Sequence, residues 1–151
     1  LGLLPYGEIR ELSEDSPTLT FNTLGRHISC MASTKVVSKL SPWLNGTMLG
    51  EIHTIPVSHG EGRFVAGTDD IRIMAENGQI ATQYVDLAGN PTYDIRYNVN
   101  GSLEAIEGIT SPDGRIFGKM AHSERISENF AINVPGNKDQ NLFVSGVKYF
   151  S

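Results

Sequence analysis

The chain has one cysteine among its 151 residues, so it cannot form an internal disulfide. It has no apolar run near the roughly 20 residues that a membrane-spanning helix needs. It also has no block of basic residues, and its formal net charge is −5. That charge argues against a surface that binds nucleic-acid phosphates. These absences predict a cytoplasmic protein with neither a nucleic-acid nor a membrane partner.

Several common motifs are missing as well. The sequence contains no P-loop, no G-x-S-x-G and no G-x-G-x-x-G, because Val65 stands where the Gly60–Gly62 turn would need a third glycine. H-E-x-x-H and paired-cysteine spacings are also absent, so we expect no metal site. The side chains with suitable ligand atoms are His53, His59, Glu61, His122 and Glu124.

Hydrophobic residues make up 39% of the chain, which suits one globular domain over residues 1–151. Sixteen glycines and seven prolines indicate many tight turns between short elements. The Pro112-Asp113-Gly114 sequence predicts the clearest hairpin turn. The predicted strands are 18–37 with a break near Gly25, Ile52–Ser58, Arg63–Ala66, Ile80–Asp86, Leu103–Thr110 and Arg115–Ala121.

Helical signals are fewer than strand signals. Ser41–Leu44 predicts a helical turn capped by Ser41, and Asp69–Glu76 predicts a short helix that ends at Gly78. Lys138–Phe150 predicts a terminal helix. Its expected apolar stripe is Leu142, Phe143, Val147 and Phe150.

The His122-Ser123-Glu124 sequence could carry acid–base chemistry. In an extended strand, side chains two residues apart lie on the same face. The carboxylate of Glu124 could then bind one ring nitrogen of His122, fix the tautomer and leave the other nitrogen free as a base. The alternative is a surface histidine beside a surface glutamate, because this spacing is common by chance.

A second pair of the same spacing is His59-Gly60-Glu61. The flanking glycines permit a turn that aims backbone groups at a ligand, but an ordinary polar hairpin turn explains the sequence equally well. Cys30 lies in a strand-like run with no adjacent glycine, which is typical of a half-buried structural cysteine. His27, three residues earlier, would point to the opposite face of the strand.

Five segments occur in a distinctive order. They are GLLPYGEI (2–9), GRHISCMASTKVVSKLSPWL (25–44), IPVSHGEGRF (55–64), YVDLAGNPT (84–92) and NVNGSLEAIEGITSPDGRIFGKMAHSER (98–125). Together they resemble the C-terminal glutaminase domain of the large form of phosphoribosylformylglycinamidine synthase, a triad (class I) glutamine amidotransferase. The resemblance runs from Leu1 to about Arg125. It implies an α/β, flavodoxin-like domain with antiparallel hairpins, of which this strand-rich chain would lack the N-terminal half.

The resemblance also implies roles for individual residues. The family's H-P-E-R motif matches His122 and Glu124, with Ser123 in the proline position. Its nucleophilic cysteine, in a G-x-C-N-G turn, would lie upstream of Leu1, as would its oxyanion loop. The SHGEGR segment resembles a stretch near the glutamine pocket. Ser58, His59 and Gly60 are therefore expected to contact substrate, mainly through backbone atoms.

The implied function is glutamine hydrolysis that supplies ammonia for purine biosynthesis. The implied partners are glutamine and the remainder of the synthase, and self-association is expected through a truncated sheet edge. The fragment would need no cofactor, whereas the synthase portion would use ATP and Mg²⁺. Without its nucleophile, the isolated chain would be inactive.

Two other functions remain open at this point. One is a non-enzymatic, β-rich binding or assembly module in which the His-x-Glu pairs are incidental. The other is part of a free-standing small glutaminase subunit, although the wording of GRHISCM and GKMAHSER is closer to the fused large form.

Overall fold

The structure, a computed structural model, describes residues 2–151; Leu1, where the predicted domain and the family resemblance begin, lies outside the described residues. The described chain contains α1 (Leu3–Tyr6), α2 (Thr68–Glu76) and α3 (Leu142–Phe150). Its strands are β1 (Thr18–Thr20), β2 (Ile28–Val36), β3 (Ile52–His59), β4 (Arg63–Val65), β5 (Ile80–Tyr84), β6 (Ile106–Thr110) and β7 (Phe117–Lys119). Short 3-10 helices occupy Pro42–Leu44 and Leu103–Ala105. None of the helices formed by residues 2–151 has both the length and the apolar character needed to cross a bilayer.

The strands form a five-stranded sheet in the order β3-β2-β5-β6-β7 and a two-stranded sheet of β1 and β4. Every pairing between these strands is antiparallel. The predicted hairpin is confirmed, since β6 and β7 pair with Gly108 opposite Lys119. At its turn, Gly114 has a φ of +73°, which glycine adopts without strain. The fold is therefore strand-rich and α/β, as expected.

The core lies on one face of β2 and β3. Alternation along β3 buries His53, Ile55 and Val57, while the residues between them are more exposed. Ala32 of β2 and Tyr84 of β5 pack against the same cluster. This alternation fixes which side chains of β2 and β3 can reach the interior.

The outer edge of β3 is covered by two later segments rather than by a strand. The backbone N–H of Thr54 donates to the carbonyl of Asn137 at 2.7 Å, and that of His122 donates to the carbonyl of Pro56 at 2.8 Å. Pro56 lacks an N–H, and its ring nitrogen faces this same outer edge, so it costs the β2–β3 ladder no hydrogen bond. The two segments, which both follow β7 at one edge of the sheet, are thus hydrogen-bonded to β3 at the other edge.

The N-terminal part of the predicted strand Leu103–Thr110 is wrong. Leu103–Ala105 forms a 3-10 helix, in which Glu104 and Ala105 have φ values of +48° and +53°. The carbonyl of Glu104 accepts a hydrogen bond from Gln83 at 2.7 Å, and its amide binds the hydroxyl of Tyr93 at 3.1 Å. These contacts hold a left-handed conformation that local propensity disfavours.

The terminal helix exists, but it begins at Leu142, and the predicted stripe is confirmed at Leu142 and wrong at Phe143 and Val147. Phe143 and Val147 are 60% and 68% exposed, whereas α3 buries Leu142, Ser145 and Gly146. The reason is Gly146: a Cβ there would lie 2.3 Å from the Trp43 ring, so the absence of a side chain lets the indole pack against the helix. Ser41 does precede the 3-10 helix at Pro42, but its side chain makes no capping bond.

β7 forms the open edge of the larger sheet. Its pairing with β6 turns the backbone groups of Phe117 and Lys119 outward. Within residues 2–151 these outward groups make no hydrogen bond. An unpaired edge of this kind can accept another strand.

The two faces of β3 provide a stability test. Ile55 is fully buried and Ile52 is 40% exposed. We expect Ile55→Ala to lower the free energy of unfolding by about 2–5 kcal/mol, because it leaves a cavity. Ile52→Ala should cost less than about 1 kcal/mol. Urea denaturation of both variants would measure the difference, and equal losses would contradict the assignment of the core face.

Candidate active site

His122 and Glu124 meet across a tight turn rather than along a strand. β7 ends at Lys119, and the amide of Arg125 donates to the carbonyl of His122 at 3.2 Å, which closes a β-turn over residues 122–125. The predicted strand Arg115–Ala121 is shortened to Phe117–Lys119, and the expectation that the chain stays extended from His122 to Glu124 is wrong. The turn nevertheless brings Nδ1 of His122 to 2.7 Å from Oε1 of Glu124.

The charge of Glu124 sets the proton positions in this pair. Partial burial acts to raise the pKa of Glu124, but a backbone hydrogen bond, the His122 ring and Arg125 together lower it. Glu124 is therefore an acceptor at neutral pH, and Nδ1 of His122 must carry the proton that it accepts. In the neutral imidazole, Nε2 of His122 then carries the lone pair, which is the tautomer that a general base needs.

The pair borders a cleft of about 290 Å³. The side chains of His122 and Glu124 are 27% and 54% exposed, so both are reachable from solvent. The remaining lining is mostly apolar: Trp43, Phe117, Lys119, Met120, Ala121, Ser123, Leu142 and Phe143. There is open space beside the imidazole for a reacting group.

A buried carboxylate supports the backbone just before His122. Glu107 accepts hydrogen bonds from the amides of Met120 and Ala121, at 3.1 and 2.7 Å, and from the hydroxyl of Thr82 at 2.5 Å. Nζ of Lys119 lies 3.6 Å away. Burial lowers the pKa of Lys119, and the nearby Glu107 opposes that effect.

Glu107 and Lys119 were not among the functional residues predicted from the sequence. A signal was present, because Glu107 interrupts the apolar run Ala105–Ile109, and a charged residue at a core position needs a partner. The hairpin register then places Lys119 opposite Gly108, next to Glu107.

Ser58, His59 and Gly60, the predicted substrate contacts, do not present a common side-chain surface. Ser58 and His59 point to opposite faces of β3. The Ser58 hydroxyl lies 3.2 Å from Nε2 of His27, and Nε2 of His59 lies 3.4 Å from the Asn100 amide nitrogen. The carbonyl of Gly60 is already bound by the amide of Asn22 at 2.9 Å.

The ring of His59 is partly buried and is close enough to His122 to respond to its charge. Burial is the main cause that lowers the pKa of His59, and the charge that His122 carries when protonated lowers it further. The ring lies directly over Gly62, where an added Cβ would be 2.0 Å from Cε1 of His59. The second glycine of the turn is therefore needed to seat this imidazole.

The backbone of Ser58 is better placed for a ligand than its side chain. The pleat turns its N–H and C=O toward the same outer edge of β3 as the carbonyl of Pro56, which binds His122. Ser58 lies about 7 Å further along that edge, at about 3.3 Å per residue. Its backbone groups have no hydrogen-bond partner in the described chain.

Cys30 is not placed as a nucleophile. Its half-buried side chain packs against the core cluster of β2 and β3. Burial raises the pKa of its thiol, whereas a reactive cysteine needs a lowered pKa. As for metals, no group of three or more His, Cys, Asp or Glu side chains within residues 2–151 could hold an ion.

Comparison with known proteins agrees with this fold. The family of CobB/CobQ-like glutamine amidotransferase domains matches residues 1–150, and the chain belongs to that family. Among solved structures, PurLQS from Thermotoga maritima matches with a TM-score of 0.66 and 27% identity, over 90% of this chain and 54% of that one. The fold is thus that of part of a glutamine amidotransferase domain.

Curated relatives include the subunit PurQ of phosphoribosylformylglycinamidine synthase from two organisms. The Chlorobaculum parvum protein is 40% identical over 105 residues, which is 69% of this chain and 41% of that protein. The Aquifex aeolicus protein is 33% identical over 129 residues, which is 85% of this chain and 51% of that protein. The chain thus spans about half the length, or less, of these relatives. Because they are separate subunits, the resemblance to the fused large form stays a prediction.

The buried histidines predict an acid-sensitive fold. Burial lowers the pKa of His53 from its ordinary 6.5, outweighing the effect of the nearby Glu51. Below pH 6.5 the unfolded chain therefore binds more protons than the folded one, and stability falls as the pH falls. Urea denaturation from about pH 7.5 to 5.5 should show this loss, and His53→Gln should reduce the slope. An unchanged slope would contradict the prediction.

Proposed function

We propose that this chain supplies the general base, His122, and its orienting carboxylate, Glu124, to a glutamine-hydrolysing site that provides ammonia for phosphoribosylformylglycinamidine synthesis in purine biosynthesis. The observation that carries the proposal is the 2.7 Å contact between Nδ1 of His122 and Glu124 beside an open cleft. Membership of a glutamine amidotransferase family supplies the reaction class.

The chemistry is acyl transfer through a cysteine thiolate. Nε2 of His122 takes the thiol proton, and the sulfur attacks the side-chain amide carbon of glutamine. The imidazolium then gives that proton to the departing nitrogen, which leaves as ammonia. Water, deprotonated by the same ring, attacks the thioester and releases glutamate, while the departing sulfur takes the proton back from the ring. Glu124 holds the ring in place and stabilises its charged form throughout.

In this proposal the thiol comes from a segment outside the 151 residues. The single cysteine of the chain is half-buried, and its pKa is raised. The open edge of β7 offers a place for that segment, because β7 leads directly to the turn that carries His122. A strand added parallel to this edge would end beside the imidazole.

The glutamine would be bound next to His122 along the outer edge of β3. The free N–H and C=O of Ser58 suit the charged ends of an amino acid, with His59 and Gly60 shaping the adjoining turn. The partner receiving ammonia is the remainder of the synthase, where ATP and Mg²⁺ would be used. The solved neighbour is described as PurLQS, which supports an assembly of this kind.

A non-enzymatic assembly module is the second candidate. It is favoured by the unpaired edge of β7 and by the exposed side chains of Phe143 and Val147 on α3. Self-association through that edge fits both candidates, so the chemistry has to be tested directly.

The role of the pair is tested in the full-length gene product. We expect His122→Asn to reduce glutaminase kcat by about 10²- to 10⁴-fold, through loss of the base. Glu124→Gln should reduce it by up to about 10⁴-fold, because the ring loses its orienting acceptor. Glutamate release measures both. The matched control is Cys30→Ser, which should retain activity within about threefold, since it removes a thiol placed outside the site.

The 151-residue chain alone should not hydrolyse glutamine. The members of a triad act as a unit, so a base without its nucleophile leaves no covalent step. Incubation with glutamine and an ammonia assay would check this. Any glutamine hydrolysis by the isolated chain would overturn the proposed origin of the nucleophile, and its loss in Cys30→Ser would assign the nucleophile to Cys30. A full-length product unaffected by His122→Asn would favour the assembly module.

A further inference from the structure

The residues on both sides of His122 are held by one buried ion pair. Glu107 binds the amides of Met120 and Ala121, which come just before the histidine. Lys119, its cationic partner at 3.6 Å, reaches to the other side and donates to the hydroxyl of Ser123 at 2.7 Å. The side chains of Glu107 and Lys119 are 0% and 10% exposed.

Ser123 is fixed from two directions. Its hydroxyl accepts from Nζ of Lys119 and donates to Oε1 of Gln140 at 2.5 Å. Nζ of Lys119 also donates to that same Oε1 at 2.7 Å. Three side chains thus close a small hydrogen-bonded ring beside the turn, and a charged donor makes such bonds stronger than neutral ones.

The position of Ser123 in the turn explains why such an anchor has an effect. The turn runs from His122 to Arg125, so Ser123 is its second residue. That position favours proline, whose ring fixes φ near −65°. Within residues 2–151 the amide of Ser123 makes no hydrogen bond, so a proline ring would remove none there.

We propose that Ser123, Lys119, Glu107 and Gln140 are positioning residues for His122, and that the anchored Ser123 hydroxyl restrains the turn as a proline at this position would. The catalytic consequence rests on the proposed glutaminase function. The geometric consequence does not, because it concerns only the contact between the His122 ring and Glu124.

A serine without these bonds leaves the turn free to change its φ. The contact between His122 and Glu124 spans only two residues and depends on the backbone angles between them. A displacement of about 1 Å at a catalytic group can cost about 100-fold in rate. The network therefore acts on kcat rather than on substrate affinity.

The test compares three substitutions at one position with a control. Ser123→Ala removes the hydroxyl and adds no ring, Ser123→Thr keeps the hydroxyl, and Ser123→Pro replaces the anchor by a ring. Ser127→Ala is the control, because Ser127 is exposed and its hydroxyl makes no hydrogen bond in the described chain.

The first readout needs no catalysis. Nitrogen-15 NMR of the His122 imidazole in the 151-residue chain reports which ring nitrogen carries the proton. The wild-type chain, Ser123→Thr, Ser123→Pro and Ser127→Ala should all show the proton on Nδ1, and Ser123→Ala should show a mixture of tautomers. A wild-type tautomer ratio in Ser123→Ala would overturn the proposal, and so would a mixture in Ser123→Pro.

The second readout is glutaminase activity of the full-length product. Ser123→Ala should lower kcat by about 10- to 100-fold, with KM unchanged within about threefold, and Ser123→Pro should restore kcat to within about threefold of wild type. If the Ser123 hydroxyl had only a structural role, a proline ring, which makes no hydrogen bond, would not restore kcat. A lowered kcat in both Ser123→Ala and Ser123→Pro would therefore overturn the proposal. If the tautomers respond as expected but the wild type hydrolyses no glutamine, positioning stands and the proposed function falls.

Discussion

The candidate site depends on a carboxylate and an ammonium group removed from water together. Transferring Glu107 and Lys119 into the interior costs several kcal/mol per ion, and their attraction alone does not guarantee its recovery. Glu107 gains three further hydrogen bonds, from Met120, Ala121 and Thr82. Two of these come from backbone amides next to His122. The amide hydrogen bonds that satisfy the buried charge of Glu107 thus also fix the backbone path that leads to His122.

This arrangement explains how a short edge strand can lead into a firmly held turn at His122. β7 has three residues, and its outer backbone groups are unpaired, so strand pairing alone would hold the following turn weakly. Beyond Lys119 the chain is fastened instead by Glu107, by the Ser123 anchor and by the bond from His122 to Pro56. These contacts reach three separate elements, β6, the Gln140 segment and β3. His122 is fixed from several sides while its ring stays accessible.

The sequence was informative where local chemistry determines structure. Pro112-Asp113-Gly114 predicted the β6–β7 hairpin because Gly114 needs a positive φ, and the strand predicted over Ile52–Ser58 matches β3. It was misleading where a distant contact decides the outcome. The exposed face of α3 followed from the indole of Trp43 packing against Gly146, 103 residues later (146 − 43), which helical periodicity cannot reveal. The turn at His122 likewise depends on Glu107, 15 residues earlier (122 − 107) and on another strand.

The candidate site residues show the same contrast between what local sequence predicts and what the three-dimensional structure decides. The spacing of His122 and Glu124 predicted that the two side chains could meet, and they do, although a β-turn rather than an extended strand brings them together. Ser58 and His59 were grouped because their segment resembles one near the family's glutamine pocket, with contacts expected mainly through backbone atoms. Adjacent residues of a strand face opposite ways, so a shared side-chain surface is excluded. What Ser58 shares with Pro56 is the outer edge of β3. The outward backbone groups of β3 already bind His122 at Pro56, and they continue unpaired at Ser58. In the proposed function, His122 and the backbone of Ser58 lie along one strand edge and keep a fixed separation. That rigidity, more than any one residue, would let a cysteine supplied from outside the chain reach the base and the bound glutamine together.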